Sequence, residues 1–218
     1  MKKADGDRFP DNPPDGNRKK SFEIIKGELG EEFVSRYPAD ALPVLCRVIH
    51  TTADFSYRDT LTITEGAIGL AKEAIHRGLS IITDTTMAAS GINKTAARKF
   101  GIDVHCFIGD EDVKEAAKAS GMTRSAVSAE KAARLYPECI YAVGNAPTAL
   151  MRLYELIEEK KIRPALIIGV PVGFVNVVEA KELILRTDVP AIVARGRKGG
   201  SNIAAAICNA LLYEAGGR

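Results

Sequence analysis

The stretch Leu45–Tyr57, L-C-R-V-I-H-T-T-A-D-F-S-Y, sets an arginine, a histidine and an aspartate into an otherwise apolar run. Histidine is the side chain that exchanges a proton nearest neutral pH, so the spacing of Arg47, His50 and Asp54 decides what this one can do. In a strand, the odd offset of three sends Arg47 and His50 to opposite faces. In a helix, Leu42, Leu45, Cys46 and Ile49 form an apolar stripe at i, i+3, i+4 and i+7, while Arg47, His50 and Asp54 recur on another face. The helix explains both sets, with Asp40 as its N-cap, Pro43 in its first turn and Thr51-Thr52 weakening its end. His50 is then an acid or base with an arginine one turn away, or a surface histidine without chemistry; this stretch leaves both open. Of the other two histidines, His105 lies in the apolar run V-H-C-F-I and reads as a core residue, and His76, in A-I-H-R-G, as a cation at a helix C-terminus.

A second group of candidates binds charge rather than moving protons. R-G-R-K-G-G-S-N (195–202) supplies Arg195, Arg197 and Lys198, three glycines, and Ser201 at the start of an alanine-rich helix. Glycines let backbone N–H groups approach a ligand, a helix N-terminus favours negative charge, and the cations add charge-assisted bonds to carboxylate or phosphate. The segment is an anion clamp by composition, or an ordinary basic turn. G-x-x-x-x-G-K-[ST] is absent and no G-x-G-x-x-G follows a strand, so a nucleotide is not specifically indicated. G-N-A-P-T-A-L (144–150) and G-V-P-V-G-F-V-N (169–176) suit a rigid wall. Asn145, Thr148 and Asn176 either donate hydrogen bonds to a ligand or cap helices, and capping is the preferred reading of Thr148. In M-T-R-S (122–125), Thr123 is a helix N-cap and Arg124 is available to a ligand. G-x-S-x-G, H-E-x-x-H and a carboxylate pair arranged for metal-assisted hydrolysis are missing. These residues together fit a large, mainly apolar, polyanionic ligand.

The elements that must position them are legible as six short apolar runs after Thr60: L-T-I-T, L-S-I-I-T, V-H-C-F-I, C-I-Y-A-V, A-L-I-I-G and A-I-V-A, separated by helix-length segments. This alternation predicts an α/β fold: a single domain with a mainly parallel sheet flanked by helices on both faces. In such a sheet the ligand crevice lies beyond the carboxyl ends of the strands, where T-D-T-T-M-A-A-S-G (83–91) and the three loops above would gather.

The whole chain bounds the partners. Its 218 residues carry 30 Lys and Arg against 28 Asp and Glu, and a net charge of +2 gives no global pull toward nucleic acid. Cys46, Cys106, Cys139 and Cys208 are scattered through apolar stretches, as expected of buried reduced thiols in a cytoplasmic protein without a structural metal. No apolar run approaches the roughly 20 residues that cross a bilayer, so neither membrane anchoring nor export is expected. Residues 1–20 are polar and rich in Pro, Gly and Asp, and read as a flexible tail ending in Arg18-Lys19-Lys20; the folded domain is placed at 21–218.

The motifs jointly resemble a known family. S-F-E-I-I (21–25), R-V-I-H-T-T-A-D-F (47–55), T-D-T-T-M-A-A-S-G-I (83–92), T-R-S (123–125), G-N-A-P-T-A-L, P-A-L-I-I-G-V-P-V-G-F-V-N-V-V-E-A-K-E (164–182) and G-R-K-G-G-S-N-I-A-A-A (196–206) look like precorrin-8X methylmutase, the precorrin isomerase of cobalamin biosynthesis. The resemblance implies an intramolecular methyl shift from C-11 to C-12 of an acidic tetrapyrrole, with no dissociable cofactor and any cobalt carried inside the substrate. It makes His50 the proton donor or acceptor and places Ser21, Arg47 and Arg124 on the substrate. It further implies a homodimer with the site at the subunit interface. Ala53 stands where many relatives have glycine, and Ala180 where serine is common. A non-catalytic carrier of the same acidic tetrapyrrole is the alternative reading, and an enzyme binding phosphate through the 195–202 segment is a third.

Overall fold

Each of the six apolar runs contributes a strand of one sheet in the computed structural model, which describes residues 14–217. The strands are β1 (Leu61–Ile63), β2 (Ile81–Thr83), β3 (Val104–His105), β4 (Ile140–Val143), β5 (Leu166–Gly169) and β6 (Ala191–Ala194), in the order β1-β6-β5-β4-β2-β3. All neighbours are parallel except the edge strand β1, which pairs antiparallel with β6 and sets Leu61 opposite Ala194. The central strands are buried on both faces, as a parallel sheet between helices requires. Successive residues alternate between two cores: Ile140, Ala142, Ile168 and Ile192 enter one, and Tyr141, Val143, Ile167 and Val193 the other.

The first core lies under α1 (Pro14–Leu29), α2 (Glu31–Arg36), α3 (Leu42–Thr52), α4 (Tyr57–Thr60), α5 (Ala67–His76), α6 (Thr86–Gly91) and α7 (Lys94–Arg98). The second lies under α8 (Glu111–Ser120), α9 (Arg124–Leu135), α10 (Pro147–Glu158) and α11 (Val177–Ile184). The last helix, α12 (Ser201–Ala215), is apolar nearly all round because it runs between the sheet and α3, α5 and α6. The prediction of an α/β domain with helices on both faces holds.

Two local expectations need correction. Residues 14–20, read as part of the tail, are the first turns of α1, which continues into an amphipathic stretch that buries Ile25 and Leu29; composition alone did not register that support. Residues 1–13 lie outside the described residues. The N-cap of α3 is Ala41 rather than Asp40, and it makes no side-chain capping bond. Among the described residues no helix is long and apolar enough to cross a membrane.

Candidate active site

The connection after β2 runs through α6 and α7 on one face of the sheet, and the connection after the adjacent β4 runs through α10 on the other. A crevice therefore opens between the carboxyl ends of these two strands. Asp84, immediately after β2, fills its floor: it is 1 % exposed and accepts hydrogen bonds from the backbone N–H groups of Gly144, Asn145 and Ala146, each 2.8 Å long. Burial pushes its pKa up, and the three N–H donors pull it down. The bonds fix the G-N-A-P loop and leave the Asn145 side chain exposed.

The remaining strand-end loops interlock with this floor. Thr85 caps α6 by accepting from the Ala88 N–H, and its Oγ1 lies 2.8 Å from Ser201 Oγ at the start of α12. Gly144 must lack a side chain because a Cβ there would stand 2.6 Å from the Ser201 Cα. The Gly200 N–H donates to the Val170 carbonyl, and the Gly173 N–H to that of Arg197. The loops after β2, β4, β5 and β6 thus gather at one edge, as the sequence predicts.

Lys181 ties the basic segment down from below. It is 0 % exposed, and its Nζ donates to the carbonyls of Gly196 and Lys198 at 2.8 Å each. Burial lowers its pKa to about 8. Above it the three cations of the segment differ in their commitments. Arg195 forms a two-pronged pair with Glu182 at 2.8 and 2.7 Å. Lys198 donates to Asp54 at 2.6 Å and to the Ser56 hydroxyl at 2.9 Å. Arg197 stands over the exposed Phe174 ring, 5.6 Å from its centroid.

The Lys198 bond joins these loops to the end of α3. The helix stops at Thr52, and Ala53 follows in the left-handed conformation with φ 52°, so Asp54 leaves the helical face that Arg47 and His50 share. The expected alignment of Asp54 with the histidine is therefore corrected: its carboxylate turns to Lys198 and Ser56, whose hydrogen bonds lower its pKa to about 2. His50 is exposed, with its ring edge-on to Phe22 at 5.7 Å. Arg47 lies between two aromatic rings, 5.0 Å from Phe22 and 5.3 Å from Tyr213. Its buried Nε has no hydrogen-bond partner among the described residues, and burial works against its charge.

A groove of about 360 Å³ runs beside it, lined by Lys19, Phe22, Lys26, Arg47, Tyr213 and Glu214. Ser21 is on the adjoining turn of α1, its hydroxyl donating to the Asn17 carbonyl. Within one chain the candidates therefore form two groups. Ser21, Arg47 and His50 line the α1–α3 side, while Asn145, Arg197, Lys198 and Ser201 lie at the strand ends, joined to the first group through Asp54. Arg124 opens α9 beside the strand-end group, where its capping neighbour Thr123 bonds Thr148. Thr148 is not a cap: Ala146 holds that position, and Pro147 opens α10.

A larger cleft, about 920 Å³, lies at the opposite edge of the sheet between segments that precede β4, β5 and β6. Its Arg77 is already paired with Glu138 at 2.7 Å, and neither group of candidates reaches it. Asp84, Lys181, Phe22 and Tyr213 had not been singled out from the sequence. Lys181 carried a readable signal, since it falls on the apolar stripe Val177, Ala180, Lys181, Ile184 of α11. Among the described residues no group of three or more His, Cys, Asp or Glu side chains is placed to hold a metal ion.

Fold and loop geometry define a single-domain α/β protein with a preorganised, locally cationic site beyond the carboxyl edge of its sheet. The family profile of precorrin-8X methylmutase matches residues 18–214. The chain belongs to that family. It is 44% identical over 201 residues to the cobalt-precorrin-8 methylmutase of Leptospira interrogans, covering 88% of this chain and 90% of that one. It is 46% identical over 172 residues to the protein of the same name from Salmonella typhimurium, covering 78% and 80%. The precorrin-8x methyl mutase structure from Thermus thermophilus superimposes with a TM-score of 0.83 at 36% identity, covering 92% of this chain and 98% of that one.

Proposed function

We propose that the protein is a methylmutase of cobalamin biosynthesis, an isomerase that moves the C-11 methyl of precorrin-8X or cobalt-precorrin-8 to C-12 to give hydrogenobyrinate or cobyrinate. The observation that carries the reading is the exposed imidazole of His50, one helical turn from Arg47, in a chain that matches this family over residues 18–214. His50 protonates the macrocycle, which makes the migration terminus more electrophilic and favours the rearranged tautomer. General acid assistance of this kind is worth roughly 10²–10⁴-fold. Arg47 anchors a substrate carboxylate, and Ser21, Arg124, Asn145, Arg197, Lys198 and Ser201 complete the substrate surface. Arg195 reaches it only by leaving Glu182. Any cobalt arrives within the substrate, and no dissociable cofactor takes part.

The enzyme acts in the cytoplasm as a homodimer whose interface borders the site. Support for that assembly comes from Phe174 and Val175, which are 82% and 77% exposed on the loop after β5, more apolar surface than a solvent turn normally presents. The test is to incubate purified protein with each form of precorrin-8 under anaerobic conditions and follow the absorption change as the corrin chromophore forms. Conversion supports the reading, and absence of conversion with both forms sinks it. His50→Ala should lose turnover and keep product binding, and full retained activity would remove His50 from the chemistry.

A further inference from the structure

Around the 195–200 loop four cations converge, and two of them are neutralised. Arg195 is held by Glu182 and Lys198 by Asp54. That leaves Arg197 above the loop and Lys181 beneath it. Lys181 is fully buried, yet among the described residues no carboxylate pairs with it; its partners are the carbonyls of Gly196 and Lys198. Burying an ammonium without a counter-ion costs stability, and its lowered pKa reflects that cost. A methionine would fill a similar apolar volume without the cost of a buried charge but would leave the Gly196 and Lys198 carbonyls without this donor, so what the lysine adds over an apolar side chain is its charge and its hold on the loop. A buried positive charge is screened less than an exposed one, so its field reaches a ligand lying on the loop. Its two hydrogen bonds also fix where the Lys198 backbone stands, and the Lys198 side chain is the contact that joins the loop to the end of α3.

We propose that Lys181 is a positioning residue for substrate binding: from inside the fold it clamps the 195–200 loop and supplies positive charge beneath a bound carboxylate. This rests on the reading of that loop as the carboxylate-binding edge of a methylmutase site. The role differs from that of the surface cations because Lys181 never touches the ligand.

The experiment compares wild type, Lys181→Met and Lys181→Gln in steady-state conversion of precorrin-8X and of cobalt-precorrin-8, KM being read on whichever form the wild type converts, at several salt concentrations and with circular dichroism as a check on folding. The expected result is a KM raised about tenfold in both variants, the equivalent of about 1.4 kcal/mol, with kcat changed by less than about threefold, as expected when only uniform binding is lost. The salt dependence of KM becomes shallower than in wild type. Turnover by wild type with unchanged KM in both folded variants overturns the proposal. Failure of both variants to fold also overturns it, because it assigns the lysine to core stability. Failure of wild type to convert either form of the substrate is a different outcome and sinks the underlying reading instead.

Discussion

Lys198 Nζ and Asp54 Oδ2 lie 2.6 Å apart across 144 residues of sequence, and this ion pair joins the basic strand-end loop to the helix that carries His50. The Lys198 bond is the largest influence on the carboxyl, with the Ser56 hydroxyl and N–H next; together they lower its pKa to about 2. An unfolded aspartate has a pKa of about 3.9. The stabilisation from Asp54 is therefore fully present above that value and is lost as pH falls through about 2. Lys198→Met should move the Asp54 pKa upward and bring acid unfolding to higher pH. NMR titration of the carboxyl carbon measures the first effect and circular dichroism the second; an unmoved Asp54 pKa contradicts the pairing.

Ala53 ends α3 at φ 52°, where a side chain is strained and glycine is not. The left-handed conformation costs an L-residue about 1–2 kcal/mol, while glycine forfeits about 0.4–1 kcal/mol through the freer unfolded chain. Ala53→Gly should thus gain about 0.5–1 kcal/mol in urea unfolding. Equal or lower stability would show that the strain is relieved elsewhere.

Phe22 lies against both Arg47 and His50 of α3, edge-on to the His50 ring and under the Arg47 guanidinium. Removing its ring should release both side chains at once. Phe22→Leu is expected to lower kcat/KM about tenfold, about 1.4 kcal/mol, with kcat and KM both affected, while Phe22→Tyr retains activity. Steady-state kinetics on the two variants decides: equal activity in Phe22→Leu removes the ring from the site.

What could be read from the chain followed the range of each interaction. The strands were legible because a doubly covered parallel strand is an uninterrupted apolar run, as in I-Y-A-V and L-I-I-G. Thr123 was legible as a cap because its partner, the Ala126 N–H, is three residues away. Arg47 and His50 were legible as neighbours because helical period places them together. Asp84 was not, since its three donors come from a loop some 60 residues later. Arg195 looked available because its partner Glu182 belongs to a different element, α11. The start of α1 was obscured by polar composition, although the helix is supported by apolar residues farther along.

Gly196 and Gly199 belong to the same loop but are constrained by different physics. Gly196 has φ 79° and open space around a hypothetical Cβ, so Gly196→Ala meets only backbone strain, about 1–2 kcal/mol. At Gly199 space is the constraint: a Cβ would lie 2.5 Å from the Pro171 carbonyl oxygen and nearer still to that of Val170. Neither carbonyl can swing aside freely, because both belong to the loop that Gly200 pins through its N–H bond to Val170. Gly199→Ala should therefore push the loops after β5 and β6 apart, at a cost of about 1–3 kcal/mol or more. It should also weaken substrate binding more than Gly196→Ala does, since it moves two walls of the site rather than one residue. Urea unfolding and KM measured on both variants test this ordering, and a Gly199→Ala protein with wild-type stability and KM would show that the two loops are not held against each other as described.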